Sequence, residues 1–191
     1  MSSPAPDVIQ RHRYTVEDYH RMTAAGILRQ DQRVELIKGE IIDMMPIGSH
    51  HAATVRQLSK VLGLAVGDRA IVSVQDPVIL DDHSEPEPDL ALLHPKEDFY
   101  ASGHPRPTDV LLIIEVADSS LIFDRDVKVP LYAHQGIPEV WLFDLGTKKL
   151  TVYSNPSKGG YRKVRILEKI DGLAVPLLKE TTVNLSGVMG F

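Results

Sequence analysis

Residues 111–120 read LLIIEVADSS. Four large aliphatic side chains run straight into Glu115. With Asp109-Val110 ahead of them they make the most apolar strand-like run in the chain. Both faces of such a strand are apolar, so it belongs at the centre of a sheet with layers on either side. A carboxylate at the end of a buried strand costs several kcal/mol unless something compensates it. Two compensations are open from spacing alone: a cation held between Glu115 and a second carboxylate, or a nearby arginine or lysine.

The second carboxylate has a candidate. "DLALL", residues 89–93, is a short strand that begins with Asp89, 26 positions before Glu115. The turn-rich segment "HPKEDFYASGHPRPT" connects it to the central strand and lets the two lie side by side. Carboxylates brought that close repel, so one protonates or a cation sits between them. A hard divalent ion such as Mg²⁺ is held through one or two carboxylates plus water.

Working outward, "TVEDYHRMTAAG" predicts a helix from about Val16 to Ala25. Thr15 and Asp18 form its capping box, and Gly26 stops it. "RVELIK" and "EIIDMM" are short strands around Lys38-Gly39, a hairpin signal. Ser49 caps a second helix with Val55, Leu58 and Leu62 on one face. "AIVSVQDPVIL" is a strand interrupted near Pro77. "FDRDVKVPLYAHQG" is helical. Because Pro130 is tolerated only in a first turn, its regular part is expected to begin near Asp126. "EVWLFDL", "KLTVYS" and "YRKVRIL" are three more strands, the last two joined by "NPSKGG". The order gives one domain of α/β or α+β class, a mixed sheet with few helices.

The bulk numbers set limits. At 191 residues the chain fills one core. Its 43% hydrophobic and 25% charged residues are those of a soluble protein. It has no cysteine, which excludes thiolate metal sites and cysteine nucleophiles and suits a cytoplasmic location. No apolar run reaches the ~18 residues of a membrane span. Residues 1–13 are expected to be a mobile lead-in. There is no P-loop and no GxGxxG, so no organic cofactor is expected. The formal charge of −5 is unlike a general DNA binder. Any basic surface is therefore local, and between Gly146 and Ile170 seven basic residues (Lys148, Lys149, Lys158, Arg162, Lys163, Arg165 and Lys169) stand against one acid, Glu168. That window is either a solvated hairpin face or a patch for nucleic-acid phosphates.

"EPDLALL", then "LLIIEVADSS", then "DRDVK…LYAHQGIPEVWLFD" resembles the PD-(D/E)XK nuclease superfamily. Within it, the chain is similar to the Uma-two family of putative restriction endonucleases. "VELIKGEII" and "HHAATVRQL" extend the likeness, which runs from about Arg33 to Tyr161. The resemblance implies a restriction-endonuclease-like domain over residues 14–191. It implies a Mg²⁺ (or Mn²⁺) site with Asp89 and Glu115 as ligands and the Val116 carbonyl as a further oxygen. Glu40 matches the acid that completes such sites. The lysine usual two residues after the second acid is here Ala117, and the family places it instead on the following helix, at Lys128. Without the family, Lys128 reads as a surface lysine.

Around Lys128, Asp124 four positions earlier could fix its rotamer. Tyr132 four positions later could pack on its stem or contact phosphate. His51, one turn before Val55, is either a core or capping residue or one at the site edge. The implied activity is Mg²⁺-dependent endonucleolytic hydrolysis of DNA, with homodimers as the superfamily's common form. Two other readings stay open: a non-catalytic DNA-binding or protein-interaction module with the same fold, and a metal phosphoesterase for small substrates.

Overall fold

The computed structural model describes residues 11–29, 31–168 and 172–188. The first ten residues of the expected lead-in, and Lys169 of the basic window, lie outside them.

Helix α1 (Val16–Ala24) carries the expected capping box, with Thr15 and Asp18 exchanging side chain-to-backbone bonds. Strands β1 (Val34–Ile37) and β2 (Glu40–Asp43) pair antiparallel around Lys38 and Gly39, both at positive φ. A two-residue turn of that kind suits glycine at its second position. Here a Cβ on Gly39 would also meet Arg13 Cβ at 2.8 Å. Helix α2 (Ser49–Val66) buries Val55, Leu58, Leu62 and Val66 on one face, as its 3.6-residue spacing demands.

The main sheet has six strands in the order β3 (Ile71–Val74), β4 (Leu90–Leu93), β5 (Val110–Ala117), β6 (Glu139–Asp144), β7 (Lys149–Ser157) and β8 (Gly160–Leu167). Only β5 and β6 are parallel. β5 is central, and all eight of its residues are buried. α2 covers one face of the sheet together with a short hairpin, β9 (Gly172–Ala174) and β10 (Thr182–Asn184). That hairpin has no counterpart among the expected elements, because three-residue strands with one apolar side chain each carry almost no periodicity.

The β5–β6 crossover packs on the other face, and it departs from expectation. It begins at Leu121, not near Asp126: α3 (Leu121–Phe123) runs through a π-helical turn, Asp124–Lys128, into α4 (Val129–His134). Pro130 has no N–H to give Asp126, and its ring crowds that carbonyl. Widening the preceding turn relieves the crowding, so that Val129 N donates to Asp124 O, five residues back. The β7–β8 connection is also tighter than expected. The strands run on through Asn155 and Pro156, leaving Lys158 and Gly159 as the turn.

This is a mixed α+β domain whose core depends on α2 docking on the sheet. Leu58 is fully buried in that interface. Leu58→Ala should lower the free energy of unfolding in urea by about 2–5 kcal/mol. A loss under about 1 kcal/mol would mean that the helix face is not packed there.

Candidate active site

The β4–β5 register sets Leu90 opposite Ile114, which brings Asp89 to the end of β5. Asp89 Oδ2 accepts from Val116 N at 2.9 Å, and Asp89 N donates to Glu115 Oε2 at 3.3 Å. The Glu115 carboxylate is thus tied to the backbone of Asp89, and the Asp89 carboxylate to the backbone of Val116, the residue after Glu115. Val116 meets Asp89 through its amide N–H.

Lys128 and Tyr132 hold the charge of Glu115. The Lys128 ammonium lies 2.9 Å from Glu115 Oε1, and the Tyr132 hydroxyl donates to the same oxygen at 2.6 Å. All three side chains are buried. Tyr132 is therefore an internal donor with no exposure left for a phosphate. Lys128 is no surface lysine: its Nζ also lies 3.3 Å from Glu35 Oε2. The expected Asp124–Lys128 ion pair does not form. Asp124 instead accepts from Ser120 Oγ at 2.6 Å and acts on Lys128 only through its field.

Glu40 does not enter the site. Its half-exposed carboxylate pairs with Arg13 at 2.6 Å beside the hairpin turn. Glu35 occupies the place expected of it, buried in β1 and accepting also from Glu87 N at 3.1 Å. The sequence held a signal for this. Glu35 sits inside the apolar run VELI, the same anomaly that marks Glu115 in LLIIEV.

His51 reaches the site edge from α2, with Nε2–H 3.0 Å from the Asp89 carboxylate. That hydrogen bond raises its pKa. Its buried Nδ1 has no hydrogen-bond partner among the described residues. Gln75 Nε2 donates to Asp89 Oδ1 at 3.3 Å.

These groups line the floor and one wall of a cleft of about 510 Å³. It opens beyond the carboxyl end of β5, where open α/β sheets commonly place ligands. Eight carboxylates (Glu35, Asp43, Glu87, Asp89, Glu115, Asp118, Asp124 and Asp126) line it against two cations, Arg33 and Lys128. Burial pushes Glu115 up from its ordinary 4.5 to about 8, against the pull of the Lys128 ammonium. The surrounding carboxylates raise Lys128 and keep it charged. The two shifts differ in origin: burial dominates for Glu115, whereas for Lys128 the fields of Glu115, Glu35 and Asp124 outweigh the cost of burial.

Among the described residues, no three His, Asp or Glu side chains converge as a complete metal cage. Two adjacent carboxylates opening on a cleft instead fit an ion such as Mg²⁺, which keeps several waters and takes few protein ligands.

The basic window is elsewhere. None of Lys148, Lys149, Lys158, Arg162, Lys163 and Arg165 lines the cleft. Lys149 pairs with Glu168 at 3.0 Å. The register runs Glu115–Leu142–Thr151–Ile166 across the sheet, so those side chains share a face. Arg165 and Lys163, at odd offsets from Ile166, point to the opposite one.

Three comparisons bear on this arrangement. A family model described as Uma2, putative restriction endonuclease, matches residues 16–186. The crystal structure of a putative nuclease belonging to DUF820 from Anabaena variabilis is similar, with a TM-score of 0.65 at 18% identity, over 92% of this chain and 97% of that one. No curated protein matches.

The buried cluster makes a stability prediction. Lys128→Met orphans Glu115 and Glu35 and should cost about 3–5 kcal/mol in urea unfolding near pH 8. A carboxyl with a raised folded-state pKa stabilises the fold below its unfolded value and loses that contribution as pH rises through the folded one. The deficit should therefore shrink as pH falls from 8 toward 5.5. A pH-independent deficit under about 1 kcal/mol would show that Lys128 does not hold the Glu115 charge.

Proposed function

The chain belongs to the Uma2 family of putative restriction endonucleases, and on that premise we propose that it hydrolyses phosphodiester bonds of DNA with a divalent cation bound by Asp89 and Glu115. The observation that supports this most is the placement of those two carboxylates, Glu115 on the backbone of Asp89 and Asp89 on the backbone of Val116, in an open cleft lined by more carboxylates than cations.

Asp89 and Glu115 would hold the cation, which would supply Lewis acidity toward a phosphate oxygen and lower the pKa of a bound water. The protein's own groups then have distinct tasks. Asp89 is held by Val116 N–H, Gln75 and His51, so its oxygens are fixed before any ligand arrives. Tyr132 and Lys128 fix Glu115 in the same way. Lys128 is the one fixed cation at the cleft floor. It is placed to offset charge that builds on phosphorus, a contribution of about 10²–10³ in rate for preorganised groups of this kind. Glu35 orients Lys128 from the far side. Arg33, at the cleft wall, is the second cation available to a phosphate.

Among the described residues no helix is long and apolar enough to cross a membrane.

Calorimetric titration of Mn²⁺ should show saturable binding to the wild type. Asp89→Asn and Glu115→Gln should each abolish it, and wild-type cleavage of DNA should stop with EDTA. Binding that survives in both variants would remove the two carboxylates from the site. No binding up to millimolar Mn²⁺, with no cleavage, would favour a non-catalytic module of the same fold.

A further inference from the structure

The cleft has a second kind of wall that phosphodiester hydrolysis does not need. One lip is the β2–α2 loop, Met44–Gly48, and the other is the start of the crossover at Ile122 and Phe123. The lips are close: a Cβ on Gly48 would lie 3.6 Å from Asp118 Oδ2, in the loop that leads to Ile122. Met45 is 56% exposed, Ile47 41% and Ile122 71%. Apolar side chains are thus held in water at the mouth of a site whose floor is charged.

We propose that the cleft takes an unpaired nucleotide of DNA, with its base clamped between Met45 and Ile47 on one lip and Ile122 on the other and its phosphate at Asp89 and Glu115. This inference rests on the phosphodiesterase reading above and narrows its substrate. Three observations carry it.

The first is size. A volume of about 510 Å³ lies within the range of pockets that take one small-molecule-sized group. The Glu115 carboxylate is buried at the floor, so the reacting phosphate has to enter, and its neighbouring base pairs cannot follow it.

The second is charge. Duplex DNA carries one negative charge per roughly 1.7 Å of axis. Laid along this cleft it would set several phosphates against eight carboxylates with only Arg33 and Lys128 to offset them. A single nucleotide brings one phosphate, and its uncharged base meets the lips. The basic side chains of Lys163 and Arg165 cannot serve a duplex in the cleft, because they project from the other face of the sheet.

The third is chemistry. Methionine, isoleucine and proline side chains are among those that wedge against unstacked bases in nucleic-acid complexes. Met45, Pro46 and Ile47 supply them in succession.

The test uses the whole protein with Mn²⁺ and three DNAs of one sequence: a single strand, a duplex with an unpaired flap, and a covalently closed duplex. Cleavage is read on gels and binding by fluorescence anisotropy. The single strand and the flap should be bound and cut at least 10-fold better than the closed duplex. Met45→Ser with Ile122→Ser, both at exposed positions, should weaken single-strand binding at least 10-fold while leaving the melting temperature and the Mn²⁺ titration unchanged. Equal binding or cleavage of the closed duplex, or single-strand binding that the lip variants leave intact, would overturn the inference and leave the phosphodiesterase reading standing. Failure of Mn²⁺ binding together with failure to cut any of the three would remove that reading, and this one with it.

Discussion

The ammonium of Lys128 lies 2.9 Å from Glu115 and 3.3 Å from Glu35, and the field of Asp124 adds to theirs. Three separate parts of the fold depend on that contact. Glu35 comes from β1, Glu115 from β5, and Lys128 from the crossover helix. Each alone would be a buried charge without compensation, and breaking a buried pair by removing one partner costs far more than an exposed pair contributes. The cluster therefore fixes how the hairpin and the crossover sit on the sheet. It also holds more carboxylates than the one ammonium of Lys128 can pair with.

The π-helical turn at Asp124–Lys128 connects this cluster to the sequence around it. Pro130 enforces the turn, and the turn carries Lys128 just before α4 settles onto the sheet through Val129, Leu131 and Tyr132. A surface lysine at an i,i+4 spacing from an aspartate is thereby turned inward, toward Glu115 and Glu35. Widened turns of this kind are frequent at functional sites. The sheet imposes a second separation. Its side-chain alternation puts Glu115 and the cations Lys163 and Arg165 on opposite faces.

Much of this was legible in the chain. The capping box of α1, the two-residue turn at Lys38-Gly39, the apolar face of α2 and the central place of β5 all come from local pattern. So does the pairing of Asp89 with Glu115, since two acids at strand ends joined by one loop have few places to go. The substitution of Glu35 for Glu40 was harder. Glu40 comes from the family resemblance, whereas Glu35 is marked only as an acid inside the apolar run VELI, and the burial of all four β1 residues is what gives that mark its meaning. The π-turn was not legible, because its cause lies in Pro130 and its effect in residues two to six positions earlier. The β9–β10 hairpin was not either.

By itself the sequence determined the class of fold, the central strand and the two acids, Asp89 and Glu115, that neighbouring strands bring together. Those depend on periodicity and on the cost of burying charge, and both act over a few residues. Which cation compensates Glu115, which acid joins it from β1, and which face of the sheet the basic strand presents were decided only in the tertiary structure. Each is a meeting of side chains from distant segments, and no local pattern specifies the register or the helix geometry that brings them together.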